Sequence, residues 1–427
     1  MCNNSLMDRI LEKDNLNKAY LQVVRNKGAA GIDGMECTEL KSFLIENGEL
    51  IKEQLRTRKY NPSPVKRVTI PKPDGGLRNL GIPTVCDRFV QQAIAQVLSE
   101  IYEPVFHDNS YGFRPNKSAK DAIQKALEII NSGKRWIVDI DLAKFFDTVN
   151  HDKLITILTR TIHDGDVISI IRKFLVSGVM TDNKIEDTEV GTPQGGNLSP
   201  LLANIILNEL DMELSDRGLE FVRYADDCII IVNSRQAARR VMDSITNYLE
   251  TNLKLTVNQS KSKITRSTGL KFLGFGFYHD TNSRKFKALP HRKSKDKLLY
   301  EIRKLTSRSW GVGNDYKVLK LNQLIRGWVN YFSLGSMLKF CMKTDALIRT
   351  RLRMCIWKHW KTPQNRAKNL MKLGISEHYA WTTAYTGRRI AYICTHGAVL
   401  YAITNKRLSD FGLLSMTELY NKAISTC

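Results

Sequence analysis

The chain has 427 residues, 42% of them hydrophobic and 25% charged, enough for two to four domains with a sizeable core. It contains no apolar run of about 18 residues, no hydrophobic stretch within its first fifteen residues, and no Cys-x-x-Cys pair among its eight cysteines. Those absences argue against a membrane span, a secretory leader, a zinc ribbon and a disulfide scaffold, and a reducing cytoplasm is the expected home. The net charge of +22 is unevenly spread: residues 281–427 hold 28 Lys+Arg against 7 Asp+Glu, and residues 1–280 hold 37 against 36. A block this basic, interleaved with Trp310, Trp328, Trp357, Trp360 and Trp381, fits a nucleic-acid partner better than a solubilising surface of mixed sign.

The first 60 residues read as mostly helical, with a glycine-punctuated loop at Asn26 to Gly34. Val65 to Ile70 alternates, Pro71 to Gly76 is rich in turn formers, and Leu77 to Pro83 returns as a second strand. Lys72 at that tip and Arg78 on the return strand can clamp a triphosphate or equally decorate an edge strand. A helix is expected over Asp87 to Tyr102, then a loop containing Tyr111-Gly112-Phe113-Arg114-Pro115, then a helix from Ala119 capped by Ser118. Ile137, Val138, Ile140 and Leu142 mark a buried strand on which Asp139 and Asp141 share a face. Asp147 reads either as part of that acidic group or as the N-cap of the helix starting near His151.

Gly191 to Pro200 is a glycine-rich loop, Gly-Thr-Pro-Gln-Gly-Gly-Asn-Leu-Ser-Pro, running into an apolar helix with Ser199 as expected N-cap. It lacks the Gly-Lys-Ser/Thr ending of a P-loop, so an NTPase reading fails. Phe221 to Val232 then sets Ala225-Asp226-Asp227 at the tip of a hairpin between two apolar runs. An isolated Asp-Asp pair suits a solvated turn, but two carboxylates wedged between such strands also suit a hard cation. A helix follows from Arg235 to Leu253, then a strand-rich stretch from Leu255 to Tyr278. From His291 onward three amphipathic helices suggest a small bundle, with Thr362-Pro363 as a linker to a last basic domain.

Taken together, Asp141 with its Asp-x-x-x-x-Phe spacing to Phe146, the Pro193-Gln194-Gly195 loop, and Tyr224-Ala225-Asp226-Asp227 resemble the reverse transcriptases. Leu321 to Phe332, Leu-Asn-Gln-Leu-Ile-Arg-Gly-Trp-Val-Asn-Tyr-Phe, resembles the maturase domain of those encoded by group II introns. The resemblance covers essentially the whole chain. It implies an α+β right-hand polymerase: N-terminal extension and fingers over residues 1–115, and a palm with an antiparallel sheet over 116–287. A helical thumb or maturase X domain over 288–362 and a small basic DNA-binding domain over 363–427 complete it.

The roles implied are equally specific. Asp141, Asp226 and Asp227 would be catalytic metal ligands for two Mg²⁺ ions, with Mn²⁺ as a substitute. Lys72, Arg78, Phe146 and Gln194 would bind the dNTP, the Phe146 ring excluding a 2′-hydroxyl. Arg114, Gly274, Lys293, Lys297 and Arg326 would face RNA or primer. Partners would be intron RNA, an RNA template with a DNA primer, target DNA and dNTPs, in a bacterial cytoplasm and away from membranes. Asn79 stands where relatives often have Pro. Cys394 and His396 alone cannot make a His-Asn-His endonuclease, so the type without that domain is expected. A splicing-only RNA-binding maturase and a retron or diversity-generating reverse transcriptase are the alternatives.

Overall fold

The computed structural model describes residues 5–71, 76–181, 184–186, 191, 195–395 and 397–425, without the side chains of Arg78, Ile185 and Glu186. The chain packs as two compact units, Met1–Ser267 and Thr268–Cys427. Among the described residues no helix is long and apolar enough to cross a membrane.

The first unit holds two four-stranded sheets. One has the order β2-β1-β4-β5, from β1 (Val65–Pro71), β2 (Leu77–Ile82), β4 (Val179–Thr181) and β5 (Lys184–Glu186). β1 and β2 form the expected hairpin, with Ile70 opposite Arg78, and β4 joins β1 in parallel. The other sheet has the order β6-β7-β3-β8, from β3 (Trp136–Ile140), β6 (Glu220–Tyr224), β7 (Asp227–Val232) and β8 (Lys263–Arg266). β3 is antiparallel to both neighbours, with Ile140 opposite Cys228 on β7.

Helices Val85–Tyr102 and Ser199–Asp216 are buried on most of their surface, as their near-continuous apolar sequences require. The expected Ser118 cap is present as a capping box with Asp121. Two other caps differ from expectation. Leu198 occupies the N-cap of the helix after the glycine loop, which makes Ser199 and Pro200 its first two residues. Asn150, not Asp147, caps helix His151–Thr159, its side chain accepting from Lys153 N at 2.8 Å. Asp147 belongs instead to a one-turn helix, Phe145–Thr148.

The second unit opens on a three-stranded sheet, β11-β10-β9, from β9 (Lys271–Phe272), β10 (Phe275–Asp280) and β11 (Lys285–Pro290). β11 was not expected, because Lys285-Phe286-Lys287 reads as polar chain rather than as strand. Helices Arg292–Leu305, Asn314–Phe332 and Leu338–His359 are the three amphipathic segments. Thr362 is not a linker residue: it caps helix Pro363–Lys372. Beyond it the chain returns to helix Leu338–His359. Arg353 donates to Ile403 O at 2.7 Å and to Asn405 Oδ1 at 2.8 Å. Asp345, 4% exposed, accepts from the backbone N–H groups of Met416 and Thr417 at 2.8 and 3.0 Å, a carboxylate capping helix Met416–Ser425 from outside. Trp357, expected at a nucleic-acid face, is 1% exposed and part of this core.

Candidate active site

The hairpin between β6 and β7 turns through Ala225-Asp226, with Tyr224 opposite Asp227. Ala225 has φ +56°, in the left-handed region where a hairpin would ordinarily place glycine. An alanine held there costs about 1–3 kcal/mol and persists only when its surroundings hold it. Those surroundings are unusually explicit. Arg223, fully buried, donates from Nη1 to Ala225 O at 2.9 Å and to Asn204 Oδ1 at 3.0 Å. Its Nε and Nη2 pair with both oxygens of the fully buried Asp211 at 2.7 and 2.5 Å, and Nη2 also reaches Ser110 Oγ.

The loop expected to carry Tyr111-Gly112-Phe113-Arg114-Pro115 lies directly behind this tip. Tyr111 N donates to Arg223 O and Arg223 N to Asn109 O, both at 2.9 Å. Asn204 Nδ2 donates to Gly112 O at 2.8 Å. A Cβ on Gly112 would lie 2.2 Å from Ala225 N, so only glycine lets the two backbones come this close. The Arg114 side chain is engaged within the protein. It is 9% exposed, pairs with Glu103 through Nε and Nη2, and donates from Nη1 to His107 O and Ser110 O. These bonds hold the loop.

Asn204, Asn208 and Asp211 form a polar stripe at helical spacing on the otherwise apolar helix Ser199–Asp216, and Asn208 Oδ1 accepts from His107 N at 3.1 Å. That stripe was the sequence signal for the scaffold, and it was missed.

Asp141 directly follows β3, whose last pair with β7 is Ile140 with Cys228. Its carboxylate Oδ2 accepts from Asn258 Nδ2 at 2.9 Å, and its own N–H donates to Ser262 Oγ at 3.0 Å. Asn258 N donates back to Asp141 O at 2.8 Å, so residues 256–262 wrap this carboxylate. Asp139, on the same strand face, pairs with Lys263 at 3.6 Å. Asp141 and Asp226 are partly exposed and Asp227 is exposed. Burial, followed by the negative charge of Asp211, pushes the Cys228 thiol far up, so the neighbouring sulfur stays protonated and is no thiolate ligand.

Among the described residues no three His, Cys, Asp or Glu side chains gather into a ready metal cage. Mg²⁺ is usually held by one or two carboxylates plus substrate phosphates and water, so the oxygen donors at this strand end fit it chemically.

The elements around the residues expected to bind the dNTP lie in the same unit. Gly191, φ +98°, sits against the Asp147 backbone, where a Cβ would meet Asp147 O at 2.8 Å. Its N–H donates to Val149 O, and buried His151 Nε2 donates to Gly191 O at 2.6 Å. A Cβ on Gly195 would meet Gly81 O of β2 at 2.4 Å. The ends of the Pro-Gln-Gly loop are thereby fixed between the Phe145–Thr148 turn and the β1–β2 hairpin. Phe146 is partly buried, packed edge-on against Phe145 at 5.1 Å. Lys72 and Gln194 lie outside the described residues, as does the side chain of Arg78.

In the second unit, Gly274 (φ +79°) and Lys297 line one depression with Ser294, Trp328, Tyr331 and Phe332. Ser294 Oγ donates to Gly274 O at 2.8 Å. Lys293, Lys297 and Arg326 are exposed.

Residues 70–277 match the reverse transcriptase (RNA-dependent DNA polymerase) family. Residues 295–374 match the group II intron, maturase-specific domain. The chain belongs to the group II intron reverse transcriptase/maturase family. It is 33% identical over 310 residues to protein YkfC of Escherichia coli K12, covering 63% of this chain and 81% of that protein. It is 31% identical to the group II intron-encoded protein LtrA of Lactococcus lactis subsp. cremoris, over 62% of this chain and 55% of LtrA. A yeast COX1/OXI3 intron 1 protein is 25% identical over 95% of this chain and 54% of its own length. The chain thus spans just over half of these two intron-encoded relatives.

Proposed function

We propose that this chain copies intron RNA into cDNA by two-metal nucleotidyl transfer, and that it binds its intron RNA to promote splicing and retromobility. The observation that carries the reading is the tip of the β6–β7 hairpin, an otherwise strained turn held by Arg223, on a sheet where β7 pairs with β3, the strand that Asp141 follows. Asp141, Asp226 and Asp227 would hold two Mg²⁺ ions. When bound, these neutralise phosphate charge and lower the pKa of the primer 3′-hydroxyl. Lys72, Arg78 and Gln194 receive the incoming dNTP. The Phe146 ring packs beneath its sugar, where a 2′-hydroxyl would clash. Lys293, Lys297 and Arg326 face RNA or primer. The first unit then comprises fingers and most of the palm, and the second the thumb and the basic DNA-binding region.

The test separates chemistry from RNA binding. Asp226→Ala should abolish Mg²⁺-dependent primer extension on an RNA template and leave intron RNA binding and splicing intact. A folded Asp226→Ala protein that loses both, or neither, would overturn the reading. Sequencing RNA co-purified with the chain distinguishes an intron partner from a retron RNA.

A further inference from the structure

The second unit contains a depression that the polymerase reading does not use. It lies where residues 306–309, just after helix Arg292–Leu305, meet helix Leu338–His359. Its lining is Thr306, Ser307, Arg308, Ser309, Arg351, Met354 and Lys358, around a cavity of about 360 Å³. Arg351 and Lys358 are seven residues apart and so point from one helix face. Arg351 is fixed in place: Nε donates to Thr306 Oγ1 at 2.5 Å, and Nη2 to Arg303 O at 3.0 Å and Thr306 O at 3.4 Å. It covers the carbonyl end of the preceding helix, and its Nη1 makes no hydrogen bond among the described residues. The Ser307 and Ser309 hydroxyls lie 2.9 Å apart at the rim.

The charge here is one-sided. Among the described residues none of Arg308, Arg351 and Lys358 has a carboxylate in ion-pair range. Burial, together with the neighbouring positive charges of Arg303 and Arg308, holds the Arg351 pKa below its usual value, although its guanidinium stays charged at neutral pH. A second observation points the same way. Lys317, 1% exposed, donates from Nζ to Ser307 O at 2.8 Å behind the depression, with the Cys355 sulfur at 3.7 Å as its other partner. Lysine is almost never so buried unless paired, and no acid pairs with it here among the described residues. A solvated basic face explains exposed Arg308 and Lys358. It does not explain a pinned, half-buried arginine backed by a buried lysine.

We infer that this depression is a seat for a phosphate group, bound by Arg351 Nη1 from its floor and by Arg308 and Lys358 from its rim. Planar guanidinium groups and a flexible ammonium are suited to phosphate oxygens. The cavity also has room for the sugar attached to a phosphodiester. Assigning that phosphate to an RNA backbone rests on the proposed function; the anion seat itself does not.

The test uses the full chain and the double variant Arg308→Gln/Lys358→Gln, whose side chains make no internal hydrogen bond among the described residues. Inorganic pyrophosphate, without Mg²⁺, should raise the Tm of the wild type by more than that of the variant, with equal Tm values in its absence. The slope of log K for intron RNA against log salt should become shallower by about 1.4–1.8 in the variant, for two lost contacts. A pyrophosphate shift without a slope change assigns the seat to a soluble phosphate compound, and a slope change alone assigns it to RNA. Identical behaviour of the two proteins in both measurements overturns the seat. If the wild type binds no intron RNA, the proposed function fails while the pyrophosphate comparison still decides the seat.

Discussion

Gly112→Ala tests whether the β6–β7 hairpin, proposed to carry the catalytic carboxylates, is held from behind. The added methyl would lie 2.2 Å from Ala225 N, 2.9 Å from Tyr224 C and 3.0 Å from Ala225 Cα, whereas ordinary contact begins at 3.4 Å. All three atoms are backbone, so no side chain can swing aside, and the closest approach demands a shift of about 1 Å between loop and tip. Part of that shift falls on the peptide joining Tyr224 to Ala225, next to Asp226. Misplacing reacting groups by about 1 Å costs on the order of 10²-fold in rate, and overpacking costs about 1–3 kcal/mol of stability. Single-turnover primer extension at saturating dNTP should therefore slow about 100-fold, with a raised Mg²⁺ requirement and unchanged intron RNA binding. Gly48→Ala is the control. Its Cβ meets nothing within 4 Å in helix Leu40–Arg56, so it should gain about 0.5–1 kcal/mol and leave extension unaltered. A Gly112→Ala protein extending primers at the wild-type rate, with wild-type Mg²⁺ dependence, would refute the buttress.

Three further outcomes follow from the same geometry. Asp211→Ala leaves Arg223 buried without its counter-charge, and urea unfolding should show a loss of about 3–5 kcal/mol; a loss below 1 kcal/mol would mean that water or another group replaces the pair. Asn258→Ala removes the donor that orients Asp141 Oδ2, so the Mg²⁺ concentration for half-maximal extension should rise about 10–100-fold, and calorimetric metal binding should weaken in parallel. Asp280, held by Lys287 at 2.6 Å and by Ser283, has its pKa lowered from 3.8 to about 2. Because the folded value is the lower one, its contribution to the β10–β11 hairpin is present above pH 3.8 and is lost as pH falls toward 2. Carbon-13 titration should place the Asp280 midpoint near 2, and Lys287→Met should return it toward 3.8.

What could be read in the sequence was local. β3, β6 and β7 announce themselves because short apolar runs are bounded by Asp141 or Asp226-Asp227 and by turn chemistry within a dozen positions. The β1–β2 hairpin is equally local. The scaffold was hidden because its contacts are distant in sequence: Asn204 to Gly112 spans 92 residues, and Arg223 to Ser110 spans 113. Arg114 shows a different limit, since its partners are close in sequence. A cation in a loop reads as a ligand contact until Glu103 and two carbonyls are found around it. Short strands such as β4 and β11 carry too few residues to show a period. Trp357 and the exposed aromatics share one basic region, and only packing tells them apart.

An apolar pair in place of Arg223 and Asp211 would conserve volume and often costs little stability, so the ion pair needs a reason beyond holding the core together. That reason lies in its remaining donors. An apolar side chain cannot donate to Ala225 O, Asn204 and Ser110 at once, and those three bonds join the hairpin tip to the helix and the loop behind it. Without them Ala225 would relax from φ +56° toward the conformations alanine prefers, and the carboxylates beside it would turn with it. Asp226 and Asp227 therefore owe their placement less to their own turn than to a buried network anchored on Arg223. The adjacent strand supplies Asp141 by a separate route, through Asn258 and Ser262. Two independent supports meeting at one strand end give the preorganisation that in-line phosphoryl transfer requires.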